Sequence, residues 1–217
     1  MKKISIFLIL FIFCTILVVL FRHNSEKEDE KEIFFSKNLE EKYTLHSPKL
    51  GNSSKNKIIV FEDFKCPHCR TLYNNIIKKI DDGIEVRYVN IAFLGKDSFV
   101  ASKASHAVYI YAPEKFPAFH DAMMNQHTNN NQRLQFTEKI IDYEIDKLSL
   151  DKYKIDKIKS TYKSKNSIAS KYANKDIKAG EAMKVSSVPT IYVNGHYIKN
   201  KSSNLKELKK NISPYIK

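Results

Sequence analysis

Ile58-Ile59-Val60-Phe61-Glu62-Asp63-Phe64-Lys65-Cys66-Pro67-His68-Cys69 is the stretch on which the fold turns. Residues 58–61 form a short, β-branched, apolar run of the kind that fills a buried strand. Leu72, Ile76, Ile77 and Ile80 then recur at helical spacing, so Cys66 sits where a strand hands over to an amphipathic helix. Asp81-Asp82-Gly83 stops that helix, and residues 84–93 read as a second strand with Ile84, Val86 and Tyr88 on one face. From residue 97 to about 185 the pattern is helical. The alanine-rich stretch 101–111 and the stripe Ile140, Ile141, Ile145, Leu148 show the period best, and 165–183 reads as a last, more polar helix. Thr190-Ile191-Tyr192-Val193, Asn194-Gly195 and His196-Tyr197-Ile198 then give strand, turn and strand. Residues 205–212 close the chain as a helix, and no internal repeat is visible. A crossover between parallel strands needs only about a dozen residues. The 94 residues between Phe93 and Val188 therefore hold an inserted helical subdomain.

Three cysteines are present, and Cys66 and Cys69 form a C-x-x-C pair while Cys14 lies in an apolar run. The pair must bridge itself, bind something or react. A thiol is sluggish near its free pKa of about 8.5, because the thiolate is the nucleophile. A cysteine at a helix start faces unpaired backbone N–H groups and the positive end of the helix dipole. Pro67 suits the first helical position, where a missing N–H costs nothing. Cys69 lies one turn further on the same side, where it can attack a mixed disulfide on Cys66. His68 adds a donor or a positive charge. A zinc site wants four ligands and no second pair exists; covalent haem needs His after the second cysteine, where Arg70 stands. A static disulfide closing so short a loop contributes little stability.

The net charge is +13 at pH 7, but lysine is interleaved with Asp and Glu, there are only four arginines, and no aromatic–basic stripe occurs. No nucleic-acid partner is expected. At the amino terminus, Met1-Lys2-Lys3 leads into residues 4–21, apolar except for Ser5 and Thr15. As a helix this run spans about 27 Å, near the thickness of a bilayer core. Basic residues precede it and an acidic, mixed segment (26–32) follows, which places the amino terminus in the cytoplasm and the remainder outside. Val18-Val19-Leu20-Phe21-Arg22-His23 offers no small residues for a signal peptidase, and Phe13 before Cys14 argues against lipidation. Residues 1–23 are thus expected to be an uncleaved membrane anchor, the protein being secreted if they are cleaved. Residues 24–56 are expected to be a tether, with a short strand or helix between 33 and 45 and a Pro/Gly/Ser/Asn cluster from Ser47 to Ser54. Residues 57–217 are expected to form the domain.

The stretch from Phe61 to Cys69 resembles the active site of the DsbA family of disulfide-forming proteins. Ser187-Val188-Pro189-Thr190 matches that family's cis-proline loop. Val89-Asn90-Ile91-Ala92-Phe93-Leu94-Gly95-Lys96-Asp97-Ser98, with Ala104-Ser105-His106-Ala107, resembles the Gram-positive, staphylococcal-type branch. The resemblance runs from about residue 57 to the carboxyl terminus. It implies an α/β, thioredoxin-like fold with its helical insertion at about 97–185. It implies catalysis by Cys66 and Cys69, tuned by Pro67 and His68, with no cofactor and no metal. Val188-Pro189 would be cis, facing the Cys66 sulfur and leaving the Val188 backbone to pair with an extended substrate. Partners would be reduced or unfolded exported proteins and a re-oxidant.

The chain departs from the family at Val60, where many relatives carry an acid that relays protons to the second thiol. Glu62 and Asp63 point to opposite faces of a strand and are expected to be solvated rim residues. His106, His120 and His127 have no ligand spacing and are expected to be surface or packing residues. The Pro67-His68 pair favours the thiolate and so a disulfide donor, with a Cys66 pKa expected below about 5. The alternatives are a reductase or isomerase of the same fold, or a membrane-anchored peptide-binding or chaperone module whose cysteines are idle.

Overall fold

The computed structural model describes residues 11–24, 42–51, 55–80, 83–126, 134–198 and 205–216. Residues 11–24 are helical (α1) and exposed. They cover the second half of the expected span, whose residues 4–10 lie outside the described residues, as does most of the expected tether. Among the described residues no helix is long and apolar enough to cross a membrane.

Among the described residues five strands form one sheet in the order β1-β3-β2-β4-β5. They are β1 (Lys49–Leu50), β2 (Lys57–Glu62), β3 (Glu85–Asn90), β4 (Thr190–Val193) and β5 (His196–Ile198). The apolar run 58–61 occupies the centre, parallel to β3 and antiparallel to β4, with Val60 opposite both Tyr88 and Ile191. Buried on both faces, it has no solvent side to mark with polar residues, which is why it reads as a continuous run. Ile58 and Val60 face one core layer; Ile59 and Phe61, with Val89 and Ile91, face another against Ala179. The Asn194-Gly195 turn has φ of 47° and 87°, the left-handed conformation that these two residues tolerate and a two-residue hairpin requires.

Helix α2 (Pro67–Asn75) connects β2 to β3, ending where Ile76 leaves helical geometry for a single 3-10 turn at Ile77–Lys79. The second strand stops at Asn90, short of the expected 93, because the chain turns through Ala92 at φ 49°. Between β3 and β4 come α3 (Lys96–Tyr111), α4 (Phe116–Met124), α5 (Glu138–Asp146), α6 (Lys152–Lys163) and α7 (Ile168–Ala182). Ala101, Ala104 and Ala107 are fully buried, which lets α6 and α7 pack closely on α3. Gly180 of α7 lies so near β3 that a Cβ there would come within 2.9 Å of the Ile91 side chain. The closing helix α8 (Leu205–Ile212) buries Leu208 and Ile212.

Residues 42–51 do not behave as a tether. β1 pairs with β3, Thr44 and Ser47 are buried, and His46 Nε2 lies 3.0 Å from Asp176 of α7. The packed domain therefore begins before residue 57.

Candidate active site

Cys66 is the N-cap of α2, with extended backbone (φ −77°, ψ 118°) and Pro67 in the first turn. Its sulfur accepts a hydrogen bond from the Cys69 backbone N–H at 3.4 Å. On the other side its thiol donates to the Val188 carbonyl at 3.5 Å, in the loop carrying the cis Val188-Pro189 bond. All six expected site residues, Cys66, Pro67, His68, Cys69, Val188 and Pro189, thus meet within one helical turn and one loop. Pro67 and His68 are exposed, whereas Cys66 and Cys69 are 5% and 2% exposed and both are free thiols.

The two sulfurs are electrostatically unlike. A hydrogen bond from Cys69, then the Cys69 and His68 backbone N–H groups and the His68 charge, bring Cys66 down to about 6 against the opposing pull of burial. That is higher than the expected value below 5, because a sulfur this enclosed loses solvation that the helix terminus only partly replaces. Cys69 is pushed strongly up, first by burial, then by its bond to Cys66 and by the charge of Glu62.

The charged residues beside the pair are not the solvated rim expected of them; both Glu62 and Asp63 are buried. Asp63 joins two loops. Its Oδ1 accepts from the Lys65 N–H (2.8 Å) and the Ser98 hydroxyl (2.9 Å), and its Oδ2 accepts from the Leu94 N–H (2.8 Å). Lys65 reinforces the joint through Asp97 at 2.8 Å and the Leu94 carbonyl at 3.3 Å. The turn entering α2 and the turn leaving β3 are thereby fixed as a unit. Glu62 instead bonds His120 of α4 at 2.8 Å, and both are enclosed. His106 is likewise buried, 2.8 Å from Asp176. The spacing of these histidines gives no hint of such pairing, because each partner lies 58 or 70 residues away. His127 lies outside the described residues. Among the described residues no cluster of His, Cys, Asp and Glu is arranged to hold a metal ion.

The thioredoxin family model matches residues 44–213. A probable disulfide bond formation protein D from Bacillus cereus is 30% identical over 146 residues, covering 64% of this chain and 66% of that protein. The disulfide bond formation protein D of Bacillus subtilis is 30% identical over 166 residues, covering 74% of this chain and 72% of that one. The chain thus spans just under two thirds of the first relative's length. The oxidised crystal structure of BdbD from Bacillus subtilis superposes with a TM-score of 0.65 at 26% identity, over 78% of this chain and 92% of that one. A fold built around a cysteine pair at a helix start, matched along most of its length by these proteins, belongs to the thioredoxin family, in the Gram-positive, DsbA-like group of disulfide formation proteins.

Proposed function

We propose that the protein is an extracytoplasmic thiol–disulfide oxidoreductase that donates the Cys66–Cys69 disulfide to reduced exported proteins. The observation that carries this is the asymmetry of the pair: a Cys66 thiol held near 6 at a helix start, and a buried Cys69 thiol pushed far up. A substrate thiolate attacks the Cys66 sulfur, the bond to Cys69 breaks, and a mixed disulfide forms on Cys66. A second substrate thiolate then attacks the substrate's own sulfur. Cys66 departs, and it departs readily because a low-pKa thiolate is the better leaving group. Pro67 and His68 tune that sulfur, and the disulfide is correspondingly easy to give away.

Substrate binding is assigned to the Val188-Pro189 loop, whose Val188 carbonyl already touches Cys66. Phe93 and Leu94, 52% and 37% exposed, offer an apolar patch on the turn that Asp63 and Lys65 hold beside the pair. Residues 4–21 are assigned as the membrane anchor, residues 24–41 as the tether, and the packed domain from residue 42 onward as lying outside the cell. A membrane or soluble re-oxidant of disulfide character completes the cycle.

A reductase or isomerase of the same fold is the second reading, favoured by a Cys66 pKa of about 6, less depressed than expected of a strong oxidant. Alkylating freshly isolated protein distinguishes them. A donor is found largely oxidised and oxidises a peptide dithiol; a reductase is found largely reduced. A peptide-binding module would retain its activity when Cys66 is replaced, and that result would overturn the enzymatic reading.

A further inference from the structure

Each turn of such a cycle moves one proton onto the Cys69 sulfur and off again, and that residue is only 2% exposed. Expelled as a thiolate, it has poor access to water, and burial makes its charged form costly. The Asp63 backbone N–H directed at that sulfur stabilises the anion in part but carries no proton that can be given up. The next residue back along β2 is Glu62.

The Glu62 carboxylate bonds His120 Nε2 at 2.8 Å, with both side chains essentially closed to solvent. His120 lies inside a cage of aromatic rings, with centroids at 4.2 Å (Tyr88), 4.8 Å (Tyr73), 5.4 Å (Phe64) and 5.5 Å (Phe116). Its Nδ1 is buried with no hydrogen-bond partner among the described residues. Tyr73 is one helical turn beyond Cys69 on α2, so this cage and the second thiol share one wall of the core. A lone carboxylate would be costly there. A carboxyl and an imidazole sharing one exchangeable proton carry no net charge, which makes their burial tolerable.

Other groups facing this wall are otherwise engaged. Asp63 is bonded to Lys65, Ser98 and Leu94, and Asp176 to His106, His46 and Ser47. Tyr73 and Tyr88 are phenols pushed up by burial, so they keep their protons, and Asp121 of α4 is paired with Lys78. His68 is exposed on the Cys66 side. Burial pushes Glu62 up while His120 pulls it down, and the Glu62 charge reaches the Cys69 thiol.

We propose that Glu62 and His120 together hold the proton that Cys69 exchanges during catalysis, a role that rests on the oxidoreductase reading above. When substrate attacks Cys66 and the disulfide breaks, the bonding electron pair stays on Cys69 and the shared proton passes to that sulfur. On re-oxidation, the Cys66 thiolate attacks the disulfide of the re-oxidant. The Cys69 proton returns to the Glu62–His120 pair as the Cys69 sulfur attacks Cys66 and expels the re-oxidant's sulfur as a thiolate. Glu62 and His120 are thus positioning and proton-holding residues that act through Cys69.

The test mixes the reduced full-length protein, with Cys14 replaced by serine throughout so that only the pair can react, with excess glutathione disulfide and follows two phases. The first is capture by Cys66 and scales with glutathione disulfide; the second is resolution by Cys69 and does not. Glu62→Gln and His120→Gln are expected to slow the second phase roughly tenfold to a hundredfold at neutral pH, while the first phase is unchanged. The deficit should shrink as pH rises, a trend that loss of packing alone would not produce, and Glu62→Asp should recover part of the rate. In the unmodified protein the second phase should show a solvent deuterium isotope effect, which keeps the test available if a variant fails to fold. Folded variants whose second phase matches the unmodified protein at every pH would overturn the proposal, as would the absence of an isotope effect on that phase. If the unmodified protein shows no first phase, or if Cys66→Ser does not abolish it, the oxidoreductase reading itself fails.

Discussion

Cys66→Ser is expected to abolish oxidation of a peptide dithiol, a loss of at least about a thousandfold, because no other sulfur at the site is both nucleophilic and within reach of a substrate. Cys69→Ser is expected to lose turnover as completely but by a different route. Cys66 is then left as a low-pKa thiolate with no partner to resolve what it captures. Proteins should accumulate on it as mixed disulfides, visible as high-mass bands that collapse on reduction. The 3.5 Å contact between Cys66 and the Val188 carbonyl places the first sulfur, not the second, against the proposed substrate loop. Adducts accumulating through Cys69 in the Cys66→Ser protein would reverse the assignment.

The largest stability effect is expected far from the cysteines, at Asp176. Its buried carboxylate meets His106 at 2.8 Å, His46 at 3.0 Å, the Ser47 hydroxyl at 2.6 Å and the Asn90 N–H at 3.2 Å. One side chain of α7 therefore joins α3, β3 and the segment before β1. Asp176→Ala would leave those donors facing an apolar gap, and a loss of about 3–5 kcal/mol in denaturant unfolding is expected. Burial alone would raise this carboxyl, but His106 and His46 more than offset it and hold it below the usual range. A group depressed in the folded state contributes stability that is present above its unfolded pKa of about 4 and lost as pH falls through the lower folded value. The unmodified protein should therefore lose stability below pH ~4 by an increment that Asp176→Ala lacks. Equal acid sensitivity of the two proteins would contradict this account of the cluster.

The central strand, the helix after the cysteines, the helical insertion and the closing hairpin were all legible in the sequence, because each has its own periodicity or turn chemistry. The packing of residues 42–51 was not. Ser47, Pro48 and Gly51 look like a linker, and what holds this segment is a two-residue strand and polar contacts to Asp176, 129 residues away from Ser47. Glu62 and Asp63 were misread for a related reason. A charged dipeptide at a strand end resembles a solvated rim until its partners are known, and those partners are a distant histidine for one and loop N–H groups for the other. The one available signal was His120 itself, set in the apolar stretch Phe116-Pro117-Ala118-Phe119-His120-Asp121-Ala122-Met123-Met124, where an imidazole needs a buried partner. The placement of the cysteine pair, Pro67 and His68 at a helix start, against a cis Val188-Pro189 loop, was legible, since short motifs encode that local geometry.

The central claim is that the helix start makes Cys66 a stabilised thiolate while Cys69 remains a thiol. Folding then favours the reduced protein by an amount present above the unfolded thiol pKa of about 8.5 and lost as pH falls through the folded value of about 6, on the order of 1 kcal/mol at pH 7. The most direct measurement is the ultraviolet thiolate absorbance of the reduced full-length protein titrated against pH, with Cys66→Ser as the blank and Cys14, a third free thiol, replaced by serine in both. One thiolate should appear with a midpoint near 6, absent from the blank, and no second one before the protein unfolds in alkali. A midpoint at 8 or above, or a thiolate that survives in Cys66→Ser, would contradict the account.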